Sequence, residues 1–164
     1  MTQSPEDIQS RLQRYADRHQ LQIIDQPGFG VHGTVFSTDR QTALKLFAAE
    51  YAYQRERDVY VRLQEESMVE VRGFNVPQLI NYDDELWAIE MTLVTRPFVL
   101  DFAGANLDVP PEYFEDEQIL IEWQADRATH FGENWYEVQV VMFAFQRYGI
   151  YLGDIHSGNI SFRD

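Results

Sequence analysis

The sequence predicts an α+β chain in two parts: strands with one main helix first, and a mostly helical half after them. Three observations carry that prediction. Residues 21–47 are short β-prone runs broken by Gly28, Gly30 and Gly33. Residues 49–66 are charged and place Tyr53, Glu56, Tyr60 and Leu63 on one stripe at helical spacing. Beyond residue 110 the strand texture gives way to two helical patterns.

Taken in order, Ser4-Pro5-Glu6-Asp7 reads as a helix start, with a hydroxyl cap, an early proline and acids at the positive end of the dipole. Ile8, Leu12, Tyr15, Ala16 and His19 continue it at helical spacing, which predicts a helix within residues 1–20. The β-prone region follows, with Asp39-Arg40-Gln41 as a turn, and then the helix of residues 49–66. Two more strands are expected over 78–82 and 86–94, separated by Asp83-Asp84-Glu85. In the second half Pro110-Pro111 and the acids Glu112, Glu115, Asp116 and Glu117 open a helix running to about His130. Gly132-Glu133-Asn134 caps another, with Trp135, Val138, Met142 and Phe145 on one face and Gly149 at its end. A loop over 152–158 leads to a last strand over 159–162. The two parts join near residues 95–105, and no internal repeat appears.

Composition narrows the classes of function. Apolar residues make up 45% of 164 and aromatics 14%, enough for a packed interior. Thirteen basic against 27 acidic side chains give a net charge of −14, which would repel a phosphate backbone and argues against nucleic acid as a partner. There are no cysteines, so neither a disulfide framework nor a thiolate zinc site is expected. His19, His32, His130 and His156 show no metal-binding spacing. No secretory signal and no run of membrane-spanning length is visible, so a cytoplasmic protein without membrane partners is expected.

The run Gly-Phe-Gly-Val-His-Gly-Thr-Val-Phe over 28–36 is the most informative stretch. A dinucleotide fold would follow the third glycine with a helix, whereas Thr34, Val35 and Phe36 are strand-like. Strand, glycine loop, strand is a hairpin; it is either a plain turn or a lid whose glycines let backbone approach phosphates. Lys45 stands in the apolar strand Thr-Ala-Leu-Lys-Leu-Phe of 42–47, where a lone lysine would ordinarily be a solvated edge residue. Eleven residues on, Glu56 lies within the apolar stripe of the next helix. A carboxylate facing a core needs a partner, because breaking a buried pair costs about 3–5 kcal/mol. Lys45 is the nearest basic candidate.

In order and spacing, residues 28–36, Lys45 and Glu56 resemble the glycine loop, strand lysine and helix glutamate of the protein kinase superfamily. The resemblance implies an antiparallel-sheet N-lobe with one main helix and a reduced, mostly helical C-lobe. It divides the chain into an N-terminal helix (1–20), an N-lobe (21–98) and a partial C-lobe (99–164). It also implies that ATP is the ligand, with Gly28, Gly30, Gly33, Lys45 and Glu56 around its phosphates and a hinge near residues 90–95 holding adenine. The run Gly-Asp-Ile-His-Ser-Gly-Asn-Ile over 153–160 is similar to the catalytic loop, in the version of aminoglycoside and choline phosphotransferases and their bacterial relatives. Those relatives carry histidine before the Gly-Asp, and here Leu152 stands there. The resemblance makes Asp154 the catalytic aspartate, acting with Lys45, and Asn159 a magnesium ligand. Without the resemblance, the same run would be a polar turn capped by Asp154 and Asn159.

The family's Asp-Phe-Gly-like turn, whose aspartate holds Mg2+, is expected after the Asn159 strand, and only five residues follow Asn159. Asp164 is the one candidate there, and five extended residues reach about 17 Å. Two classes of function stay open: an ATP-dependent phosphotransferase impaired in turnover, or a pseudokinase, nucleotide-binding or nucleotide-free, acting as a protein interaction module. A piece of a longer active kinase is a third reading. The acceptor, protein or small molecule, cannot be read from the sequence. A shortened C-lobe would leave apolar surface uncovered, with Trp123, Phe131, Trp135 and Phe143 as candidates, and self-association into a homo-oligomer through it is an expectation.

Overall fold

The computed structural model describes residues 5–29, 33–153 and 155–163. Helix α1 (Pro5–His19) turns Leu12, Tyr15 and Ala16 inward. Strands β1 (Ile23–Phe29), β2 (Gly33–Thr38) and β3 (Thr42–Phe47) follow, and then helix α2 (Glu50–Glu65). Two short strands, β4 (Glu70–Val71) and β5 (Phe74–Asn75), precede β6 (Leu79–Asp83) and β7 (Ala88–Thr92). Five of these form one antiparallel sheet in the order β1-β2-β3-β7-β6.

The alternation of β3 decides what each face of that sheet does. Leu44 and Leu46 point to one side, where they pack with Leu12, Tyr15, Leu21, Phe36 and Leu86 beneath α1. Ala43 and Phe47 point to the other, toward Tyr53, Val59 and Tyr60 of α2. Lys45 shares the α2 side, because its position in the pleat is the same as theirs. Gly33 opens β2 opposite Phe47, and a Cβ there would stand 2.5 Å from the Leu46 carbonyl oxygen. Only glycine lets β2 come that close.

The second half begins with β8 (Phe98–Val99) and β9 (Asn106–Leu107). The helix expected from Pro110 starts instead as a 3-10 turn, Glu112–Phe114, and α3 proper is Glu117–Phe131. The reason is Asp116, whose carboxylate accepts from the Ile119 N–H at 3.1 Å and so fixes the start of α3 at the next residue. A second 3-10 turn, Gly132–Asn134, leads into α4 (Trp135–Gln146), and β10 (Ile150–Tyr151) and β11 (Ile160–Ser161) close the order. β10 pairs with β9, while β11 joins the sheet β11-β8-β5-β4, antiparallel to β8.

Buried residues of both halves form one apolar cluster, in which Phe47, Tyr53 and Tyr60 meet Phe102, Val138, Val141, Phe145 and Ile160. Of the four large residues expected at an uncovered surface, Phe131 is buried, Trp123 and Trp135 are partly buried against the core, and Phe143 is exposed. No helix among the described residues is long and apolar enough to cross a membrane.

Candidate functional site

Lys45 Nζ donates to both carboxylate oxygens of Glu56, at 2.8 and 3.0 Å. The pair lies between β3 and α2 and is almost wholly buried, with side-chain exposures of 8% and 3%. β3 supplies the lysine on the face that α2 covers, and α2 supplies the glutamate from the middle of its apolar stripe, between Tyr53 and Tyr60. Phe47 adds an aromatic wall, its ring centroid 4.8 Å from the ammonium.

A third charge, not expected from the sequence, completes the cluster. Asp101, just after β8, brings Oδ1 to 3.5 Å from Lys45 Nζ, and its side chain is 30% exposed. Its rotamer is set locally, because the Ala103 N–H donates to the same oxygen at 2.9 Å. The next residue, Phe102, anchors the turn. Its ring is buried between Tyr60 of α2 and Phe145 of α4, with edge-on centroid distances of 5.4 and 5.8 Å.

One ammonium thus faces two carboxylates, and the charges respond accordingly. Burial, with the charge of Asp101 added, pushes Glu56 up to about 7 against the pull of Lys45. Burial opposes charge on Lys45, yet the two carboxylates outweigh it and hold the lysine above its ordinary value. Asp101 is also desolvated, but Lys45 and the Ala103 N–H bring it below the usual carboxylate range.

Asp101 also joins this cluster to the second motif. The Leu100 N–H donates to the Asn159 carbonyl at 2.8 Å, and β8 pairs with β11 through Val99 opposite Ile160. Asp101 therefore follows β8 and Asn159 precedes β11 at the same end of their antiparallel pairing. Asn159 is buried, and its side-chain amide lies 3.0 Å from Nε2 of His156, whose Nδ1 accepts from the Gly158 N–H at 2.9 Å. α3 braces the same loop from behind: Arg127 donates to the Ile155 carbonyl at 2.6 Å, and His130 Nε2 accepts from the Ser157 N–H at 3.1 Å. On the loop's other side Gly153 sits against the turn that follows Asp101. A Cβ at Gly153 would strike the Gly104 carbonyl, so the two backbones touch only because Gly153 has no side chain.

Of the residues singled out in the sequence, Lys45 and Glu56 are brought together, and Asn159 is tied by its backbone to Leu100, the residue before Asp101. Gly28 pairs with Val35 across the β1–β2 hairpin, and Gly33 begins β2. Gly30, Asp154 and Asp164 lie outside the described residues. The expected hinge begins in β7, where the Glu90 side chain turns into the interior and accepts from Tyr15 OH at 2.8 Å and Thr42 Oγ1 at 2.7 Å. Asp101 carried a sequence signal that reasoning by chain order passed over: Asp-Phe-Ala-Gly, residues 101–104, in the stretch read as a connector.

No protein-family model and no curated protein matches this chain. Among solved structures, the chain is similar to that of the streptomycin–ATP–APH(2")-IIa ternary complex, at 12% identity and a TM-score of 0.41. The likeness covers 58% of this chain and 30% of that one. At that overlap, function is read from the site's own residues.

Proposed function

We propose that the chain is an ATP-binding, protein-kinase-like phosphotransferase domain whose nucleotide lies between the β1–β2 hairpin and the segment after β7. The observation that carries this reading is the buried Lys45–Glu56 pair beside Asp101. A buried ion pair is weak evidence for stability, since burying both charges costs about as much as their attraction returns. A pair kept on the face of the sheet's central strand, with a partly exposed acid next to it, is better explained by a ligand that uses the ammonium. Lys45 would meet the phosphates and Glu56 would hold it there.

In transfer, the acceptor hydroxyl oxygen would bond to the γ-phosphorus as the bond to the bridging oxygen breaks and ADP leaves. The hydroxyl proton would pass to the Asp154 carboxylate. A carboxylate at Asp101, beside Lys45, bears on the expectation of impaired turnover, since it would be one more acid at the phosphates. The acceptor stays open between a protein and a small molecule.

Calorimetric titration with ATP and ADP tests the reading. Binding is expected, and Lys45→Met should weaken it by tenfold or more while the variant still melts cooperatively. No heat and no thermal shift at millimolar nucleotide would refute it.

A further inference from the structure

Asp101 is more than Lys45 needs. Glu56 already takes two of the ammonium's donors at 2.8 and 3.0 Å, whereas Asp101 stands at 3.5 Å, the outer limit of a hydrogen bond. Were pairing its whole role, its pull on Lys45 would come at the cost of repulsion beside Glu56. Its placement suits another partner. It is the exposed member of the three, it is fixed by the Ala103 N–H, and Phe102 pins its backbone into the core.

Its neighbour completes a donor set. Asn159, just before β11, carries an amide side chain, and its backbone carbonyl accepts from the Leu100 N–H next to Asp101. A carboxylate and an amide are hard oxygen ligands of the kind that suit Mg2+, which usually takes one or two protein carboxylates, several waters and the phosphates of its nucleotide. Zinc or copper would call for imidazole or thiolate. Lys45 next to Asp101 puts the phosphates within reach of the same place.

We infer that the divalent cation accompanying the nucleotide is held by Asp101 together with Asn159, so that the metal-holding carboxylate lies on the connector before α3 rather than beyond the Asn159 strand. The inference rests on the nucleotide reading above. The strand pairing makes the order of the pieces immaterial: β8 and β11 lie side by side whichever comes first in the chain, and Asp101 stands at the same end of that pairing as Asn159. Asp101 is then a ligand, and Phe102 and Gly153 are positioning residues that hold its turn against the loop.

The test compares ADP affinity with and without magnesium by calorimetry, in the full chain and in Asp101→Asn. The wild type should bind ADP more tightly with magnesium, by about tenfold. Asp101→Asn should lose most of that gain, read as the ratio of the affinities with and without magnesium within each protein, whatever its magnesium-free affinity. An equal magnesium gain in both proteins overturns the role of Asp101 and leaves the nucleotide site standing. No binding by the wild type under either condition overturns both.

A second measurement needs no variant and serves if Asp101→Asn does not fold. Manganese with ADP should broaden the backbone amide signals of Phe102, Ala103 and Ile160 first in a ¹H–¹⁵N NMR titration. Sharp signals there, with broadening elsewhere, overturn the inference.

Discussion

The cluster of Lys45, Glu56 and Asp101 is unequal by design of its charges, and its members should not be interchangeable. Lys45→Met leaves two carboxylates facing each other in a largely dry space, which is the costly way to break a buried pair. Glu56→Gln leaves the ammonium still beside Asp101 and offers it an amide oxygen of the same reach. Urea denaturation at neutral pH should therefore give Lys45→Met a loss of about 3–5 kcal/mol and Glu56→Gln clearly less. Equal losses, or the reverse order, would mean that Asp101 does not share the lysine. At this scale much was legible: a carboxylate in an apolar stripe demands a partner, and the nearest lysine is the partner. Asp101 was passed over, because its Asp-Phe-Ala-Gly run comes before the Asn159 strand rather than after it, and only the fold brings it to a lysine 56 residues earlier.

At the scale of elements, α1 does more than precede the sheet. Its Arg11 donates to the carbonyls of Leu86 and Phe47 at 2.7 and 2.8 Å, and its Tyr15 hydroxyl reaches Glu90 of β7. The helix thereby closes one face of the sheet and ties down the strand that leads toward the expected hinge. Tyr15→Phe removes one of two hydroxyl donors to a carboxylate that is 2% exposed. Such a loss costs about 1–3 kcal/mol, readable as a lower urea midpoint with an unchanged slope. An unchanged midpoint would show that water replaces the hydroxyl at no cost. The helix and its inward face were legible from spacing, and so were α2, β6, β7 and α4. The two-residue strands β4, β5, β8, β9, β10 and β11 carry too few side chains for any period to show, apart from the last, which an apolar run marked. That is why the partner of β11 stayed hidden: β8 is two residues long, and its pairing is a fact of the whole chain.

Over the whole molecule, the sheet half and the helical half share one apolar cluster, with α2 at its centre and Phe102 between α2 and α4. A ligand on the Lys45 side of the sheet would therefore touch residues supplied by both halves, and its footprint is the most direct test of the account. That footprint can be read by titrating the ¹⁵N-labelled chain with ATP and magnesium and following the amide signals by NMR. The account predicts progressive shifts that cluster on Gly33, Lys45, Leu93, Ala103 and Ile160, from five separate stretches of sequence. No shifts at millimolar ATP, or shifts gathered instead around exposed helical positions such as Tyr136 and Phe143, would contradict it.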